Sequence, residues 1–175
     1  MTDGHRTLLL LRHAKSGYPS GVADHQRPLA ERGIREAALV GDWIRSRVDR
    51  VDAVLCSTAT RTRQTLERPG LSAPVQYVDR IYESTPGIVI DEINGVAERF
   101  GDTVGDPPTL LVVGHEPVMS ALALGLADET SRKGAVAEAI LEKFPTSAIA
   151  VLRTARPWAE LELGSAELVE FHIAR

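Results

Sequence analysis

A lone cysteine, Cys56, leaves no internal disulfide to hold the fold, and no His or Cys pair stands at the short spacing that chelates zinc. One unpaired thiol fits a reducing compartment. Positive charge is not in excess either. Twenty Lys+Arg against 24 Asp+Glu leave a net charge of −4, so the overall field attracts neither nucleic acid nor an anionic membrane. Any cationic site must be local. Long apolar runs are missing: the leucines at 8–11 are far too few to cross a bilayer. Met1 to Arg6 lacks the basic start and apolar stretch of a secretory signal, so the expected address is cytoplasmic. Also missing are a Walker loop, GxGxxG, an aspartate-rich magnesium site, GxSxG, internal repeats and low-complexity tracts. Nucleotide, metal and serine-hydrolase chemistry therefore have no foothold, and neither a metal nor a cofactor is expected.

What is present is a chain of 175 residues, 43% hydrophobic and 25% charged, a balance that predicts one globular domain over 1–175 with its own core. Thr7 to Arg12, Val51 to Cys56, Val75 to Val78 and Thr109 to Val113 read as short buried strands. Between them, Pro28 to Val48 has helical spacing, with Ile34, Ala37, Ala38, Leu39, Ile44 and Val48 apolar and arginines opposite. A second helix opens in TATRTRQT and stops at Pro69-Gly70; a third covers Pro86 to Phe100, and a fourth runs from Pro117 to about Leu126. Ala148 to Thr154, Glu160 to Leu163 and Leu168 to Ile173 read as further strands, the first two as an antiparallel edge pair joined through Pro157. Strands alternating with helices predict an α/β fold: a three-layer α/β/α sandwich on a mainly parallel sheet with an antiparallel edge.

In such sheets ligands bind beyond the carboxyl ends of the strands. Three strands end in polar chemistry there: Arg12 and His13 after the first, Ser57 and Arg61 after the second, His115 after the later one. Two guanidiniums and two imidazoles make a pocket for a compact, highly charged anion, and the planar fork of arginine suits phosphate oxygens. With no metal motif, the histidines must carry the reaction. Neighbouring arginines disfavour protonation of His13 and so keep its lone pair available for attack on phosphorus, giving a covalent phosphohistidine. The same guanidiniums match the charge of the transition state. A leaving group also needs a proton, for which Glu83 and Glu116 are the two candidate carboxyls, Glu83 being the better placed. Cys56 does not fit a cysteine phosphatase, which requires five residues before its arginine: here Arg61 follows after four and Arg63 after six. A zinc site from His13, His115 and His25 has no spacing to support it.

RHAKS at 12–16 resembles the R-H-G/A signature of the histidine phosphatase (phosphoglycerate mutase-like) superfamily. RPLAERG at 27–33, STATRTRQT at 57–65, which resembles S-x-x-x-R-x-x-Q-T, and VVGHEP at 112–117 follow in the family's order. The RHAKS variant, the short chain and IYESTPGIVIDEI are most similar to the SixA-like branch, whose activity is dephosphorylation of protein phosphohistidine. The resemblance implies a phosphoglycerate mutase-like fold, His13 as the phosphorylated nucleophile, Arg12, Arg61 and His115 as the phosphate pocket, and Glu83 as proton donor. Lys15, Ser16 and Arg27, beside the signature, would line the mouth. Ser57, near Arg61, joins them as a substrate-binding residue. The partner is then a phosphorylated protein or a small phosphorylated substrate, not nucleic acid and not a membrane. A phosphomutase would need a cap over the site, and only 18 residues separate Gln64 from Glu83. A non-catalytic module that recognises a phosphorylated partner is the alternative of a different class.

Overall fold

The computed structural model describes residues 4–175; Met1 to Asp3, part of the stretch read for a missing secretory signal, lie outside the described residues. Among the described residues, strands β1 (Arg6–Arg12), β2 (Ala53–Ser57), β3 (Val75–Val78), β4 (Thr109–Gly114), β5 (Ala148–Thr154) and β6 (Glu167–Ile173) form one sheet in the order β3-β2-β4-β1-β5-β6. The four from β3 to β1 are parallel. β5 runs antiparallel to both β1 and β6, with a bulge at Val151/Leu152.

The leucine run explains the layering. Successive side chains on a strand point to opposite faces, so an uninterrupted apolar run means a strand covered on both sides. Leu8 and Leu10 join Leu55, Leu110 and Val112 in a core with Val89 and Ile93 of α3 (Pro86–Asn94), Met119 and Leu122 of α5 (Val118–Leu126) and Ile140 of α6 (Ala135–Glu142). Leu9 and Leu11 join Val54, Leu111 and Val113 on the other face, against Val40 and Ile44 of α1 (Glu31–Arg47) and Leu66 of α2 (Thr60–Glu67). The result is the expected three-layer α/β/α sandwich. No helix among the described residues is long and apolar enough to cross a membrane.

Several local expectations change. Glu160 to Leu163 is not a strand. Trp158 is fully buried and its indole donates to the Pro107 carbonyl (2.7 Å), while the Asn94 amide donates to the carbonyls of Trp158 (2.7 Å) and Leu161 (3.1 Å). Those bonds draw the segment down onto α3 as a short 3-10 turn, Trp158–Glu160, and β5 pairs with β6 instead. The helix expected over Pro86 to Phe100 breaks at Gly95 into α3 and α4 (Val96–Arg99), and α6 was not legible at all. α1 begins at Glu31, three residues into the predicted span: Leu29 forms an antiparallel bridge with Ser16, Ala30 is extended, and their amides bond Gln64 Oε1 (2.8 Å) and the Lys15 carbonyl (2.9 Å). Ala38 and Leu39, read as apolar face, are exposed on α1, whereas Ala37 and Ile44 of that face are buried together with Val40 and Gly41.

Candidate active site

β2, β4 and β1 are adjacent and parallel, so the residues at their carboxyl ends share one rim of the sheet. The His13 amide donates to the Gly114 carbonyl (3.1 Å), which extends the β1–β4 ladder to the two residues where the chains leave it. The imidazoles of His13 and His115 consequently face each other, with ring centroids 5.3 Å apart. Arg61 is brought in on the first turn of α2, which starts only three residues after β2 ends.

The motif residues around these groups hold the loops together. Thr65 Oγ1 accepts from the Ala14 amide (2.9 Å) and donates to the Arg61 carbonyl (2.7 Å), tying α2 to the signature. Gln64 does the same for the segment before α1 through its bond from Leu29. These two contacts give the Q-T of STATRTRQT its physical purpose. In RPLAERG, Gly33 packs on the signature backbone: a Cβ there would stand 2.1 Å from the Lys15 carbonyl oxygen, so only glycine lets α1 lie this close.

His13 Nδ1 lies 2.8 Å from the Ala14 carbonyl oxygen. A carbonyl only accepts, so Nδ1 carries the hydrogen and Nε2 keeps the lone pair. Burial pushes the His13 pKa down to about 4, aided by Arg61, Arg12 and Arg27 against the opposing bond to Ala14. Burial, then His13 and Arg61, push His115 to about 3. Both rings are neutral at pH 7. Ser57, fully buried, shares a 2.8 Å hydrogen bond with His115 Nε2, so its hydroxyl is engaged by the histidine.

Arg12 Nη1 donates to the Phe144 carbonyl (2.9 Å), and Arg61 Nη1 to the Asp24 carbonyl (2.7 Å). Among the described residues three buried side-chain nitrogens have no protein partner: Arg12 Nε, Arg61 Nε and His115 Nδ1. Buried polar groups are nearly always satisfied, so an orphan calls for an explanation. All three belong to the predicted anion pocket.

The remaining predicted residues divide. Arg27 Nη1 donates to Ser16 Oγ (2.9 Å) and its Nε to Asp24 Oδ1 (3.0 Å), and its guanidinium lies 4.2 Å from the centroid of the exposed Tyr18 ring. Ser16 and Arg27 thus brace each other beside the signature. Lys15 is half-buried, its Nζ 5.8 Å from the Tyr18 ring centroid. Glu83 is exposed, directly after Tyr82, whose ring meets that of His115 edge-on at 5.6 Å. It holds a left-handed φ of 50°, strain of the kind that gathers at functional sites in non-glycine residues. Glu116, its rival, accepts from the Ser120 amide (2.6 Å) and hydroxyl (2.7 Å) at the start of α5. Cys56 is buried, which pushes its thiol up to about 12 and removes it as a nucleophile. Among the described residues no group of three His, Cys, Asp or Glu side chains is arranged to hold a metal.

Sequence reasoning missed Asp24 and Tyr82. Asp24, in a 3-10 turn (Asp24–Gln26), accepts from Arg61 Nη2 (3.2 Å), Arg27 and the Tyr82 hydroxyl (2.5 Å); those bonds, Tyr82 first, hold its carboxyl down at about 2. The bracing of Arg12 by Phe144 was also missed, since a main-chain carbonyl carries no residue signature.

The neutral histidines make acid sensitivity an expected property. In the unfolded chain a histidine titrates near 6.5, in the fold near 4 and 3 for these two. Between pH 6.5 and 4 the unfolded state therefore binds protons that the folded state refuses. No penalty exists above 6.5, and stability falls as pH falls below it, by up to about 1.4 kcal/mol per pH unit per histidine. Urea midpoints at pH 7.5, 6 and 5 should decline stepwise, and a His13→Asn, His115→Asn protein should show a flatter profile.

Two neutral imidazoles and two guanidiniums with unpaired nitrogens, gathered at the carboxyl rim of a parallel sheet, define the class: an α/β protein with a cationic, histidine-bearing site at its strand ends. Residues 8–109 match the model of the histidine phosphatase superfamily (branch 1). The uncharacterized protein Rv1276c of Mycobacterium tuberculosis is 60% identical over 165 residues, covering 94% of this chain and all of that one. The structure of a candidate phosphohistidine phosphatase SixA from Nakamurella multipartitia is similar with a TM-score of 0.86 and 36% identity, over 98% of this chain and 97% of that one. A second candidate SixA, from Agrobacterium tumefaciens, is similar at a TM-score of 0.72 and 28% identity, over 95% and 97% of the two chains. This chain belongs to the histidine phosphatase superfamily, in its SixA-like branch, with the phosphoglycerate mutase-like fold; it is an enzyme of the phosphatase class.

Proposed function

We propose that the protein hydrolyses phosphorylated substrates in the cytoplasm without a metal, through a phosphohistidine formed at His13. The observation that carries this reading is the set of three unpartnered buried nitrogens, Arg12 Nε, Arg61 Nε and His115 Nδ1, around an imidazole whose Nε2 holds a lone pair. Phosphoryl oxygens satisfy the three nitrogens. His13 Nε2 then attacks phosphorus, the bond to the leaving group breaks, and the leaving atom takes a proton from the Glu83 carboxyl. In the second step water attacks the phosphorus, its proton passes to the Glu83 carboxylate, and the P–N bond electrons return to His13.

Net hydrolysis rather than transfer is supported by what lies between α2 and Tyr82. That stretch holds a turn, β3 and the 3-10 turn Asp79–Ile81, with no inserted cap to keep water from a phosphoenzyme. For the substrate, a phosphohistidine of a protein is the first candidate, since the Nakamurella and Agrobacterium structures are of candidate phosphohistidine phosphatases. A small phosphomonoester is the second.

The test ranks a phosphohistidine protein, an aryl phosphate, a sugar phosphate and a nucleotide by kcat/KM. Phosphohistidine protein should lead, and a chelator should leave the ranking unchanged. Glu83→Gln should lower kcat/KM for the sugar phosphate about 10²-fold or more while sparing kcat/KM for the aryl phosphate, whose leaving group departs without an acid; kcat on the aryl phosphate should still fall, because water attack on the phosphoenzyme uses the same carboxyl. Binding of phosphorylated ligands with no turnover of any would instead identify a recognition module.

A further inference from the structure

The clamp on Arg61 is an unassigned part of this site. Asp24 sits on the connection between β1 and α1, and its side chain is 56% exposed, yet it reaches a guanidinium that is 7% exposed. It takes both terminal nitrogens of that guanidinium: Nη1 through its carbonyl (2.7 Å) and Nη2 through Oδ2 (3.2 Å). Only Nε is left without a protein partner. An arginine side chain has several rotatable bonds, and a planar fork tied at both tips can offer only its remaining edge. The same Oδ2 accepts from the Tyr82 hydroxyl, whose ring packs edge-on against His115, and Oδ1 accepts from Arg27 Nε.

Building on the reading of Arg61 as a phosphate ligand, we propose that Asp24 is a positioning residue, which holds Arg61 with its Nε edge toward the phosphoryl group and sets Tyr82 against His115. Asp24 does not itself touch the substrate. Its carboxylate neutralises part of the charge on Arg61 without occupying Nε, and its lowered pKa keeps those bonds intact well into acid.

A double-mutant cycle tests this, with inorganic phosphate binding and kcat/KM on an aryl phosphate as the two measurements. Asp24→Ala should lower kcat/KM by about 10- to 100-fold, mostly through kcat, and weaken phosphate binding; in an Arg61→Ala background the same change should cost less than about 3-fold. Asp24→Asn, which retains one oxygen and the shape of the turn, should fall between the unchanged protein and Asp24→Ala, and it replaces Asp24→Ala if thermal melts show that variant to be unfolded. Equal losses in both backgrounds would mean that Asp24 acts independently of Arg61 and would overturn the proposal. So would tighter phosphate binding in Asp24→Ala or Asp24→Asn, the mark of a carboxylate that competes with substrate for the arginine. An unchanged protein that neither binds phosphate nor turns over the aryl phosphate would sink the pocket reading itself, and the positioning role with it.

Discussion

His13→Ala should abolish turnover, lowering kcat by about 10⁴-fold or more, the scale on which removal of a covalent nucleophile acts. His13 is nearly fully buried and its Nδ1 faces a main-chain carbonyl, so no other atom of the ring can substitute for Nε2. A neighbouring nucleophile is equally unable to replace it. The Cys56 thiol is pushed up to about 12 by burial, and Ser57 is buried against His115. Brief mixing of the unchanged protein with labelled substrate should give an adduct that survives base and is lost in acid, as a phosphoramidate is, and His13→Ala should give none. An acid-stable adduct would identify a serine or threonine ester and contradict the assignment. Because the alanine leaves the arginines and His115 in place, phosphate should still bind; loss of binding together with a lowered melting temperature would mean that the imidazole holds the rim together.

Arg61→Ala should lower kcat/KM by about 10²- to 10³-fold, the loss expected for one donor to a phosphoryl transition state. Arg61→Lys should recover little of it. A lysine has one point of attachment, while Arg61 uses Nη1 and Nη2 on Asp24 and leaves Nε for the anion, a division that requires a planar fork. Removing this charge also bears on the nucleophile. Burial is the largest influence on His13, and among the cations acting on it Arg61 comes first, so its loss should raise the His13 pKa part of the way from about 4 toward 6.5. The acid limb of kcat/KM should move to higher pH in Arg61→Ala, while Arg61→Lys, which keeps the charge, should leave it near its original position. A variant that loses activity with no displacement of the limb in either case would mean that Arg61 lies outside the field felt by His13.

The positions of Arg12, His13, Ser57 and His115 were legible because each lies at the end of a strand that the apolar pattern marks. LLLL before Arg12-His13, AVLC before Ser57 and LLVV before Gly114-His115 are all short, bounded runs, and each is a strand in the fold. The misreading at Glu160 to Leu163 came from the same kind of cue. Alternation there resembles a strand, but burial of Trp158 and the bonds from Asn94 bring the segment onto α3, and no local pattern encodes a partner 64 residues away. Asp24 escaped notice for a similar reason: in isolation it is an aspartate in a polar loop, and its meaning lies in Arg61 and Tyr82, 37 and 58 residues on.

By itself, then, the order of residues determined the α/β class, the two-faced burial of the leucine strand and the placing of Arg12, His13 and His115 at strand ends. Only the tertiary structure decided that β4 inserts between β1 and β2, which brings His115 within 5.3 Å of His13 although about a hundred residues of chain separate them. It also decided which nitrogen of His13 holds the lone pair and which nitrogen of Arg61 is left without a protein partner. The physical reason is that side-chain type and local periodicity are written along the chain, whereas proton position, desolvation and the occupation of a guanidinium depend on neighbours that only folding supplies.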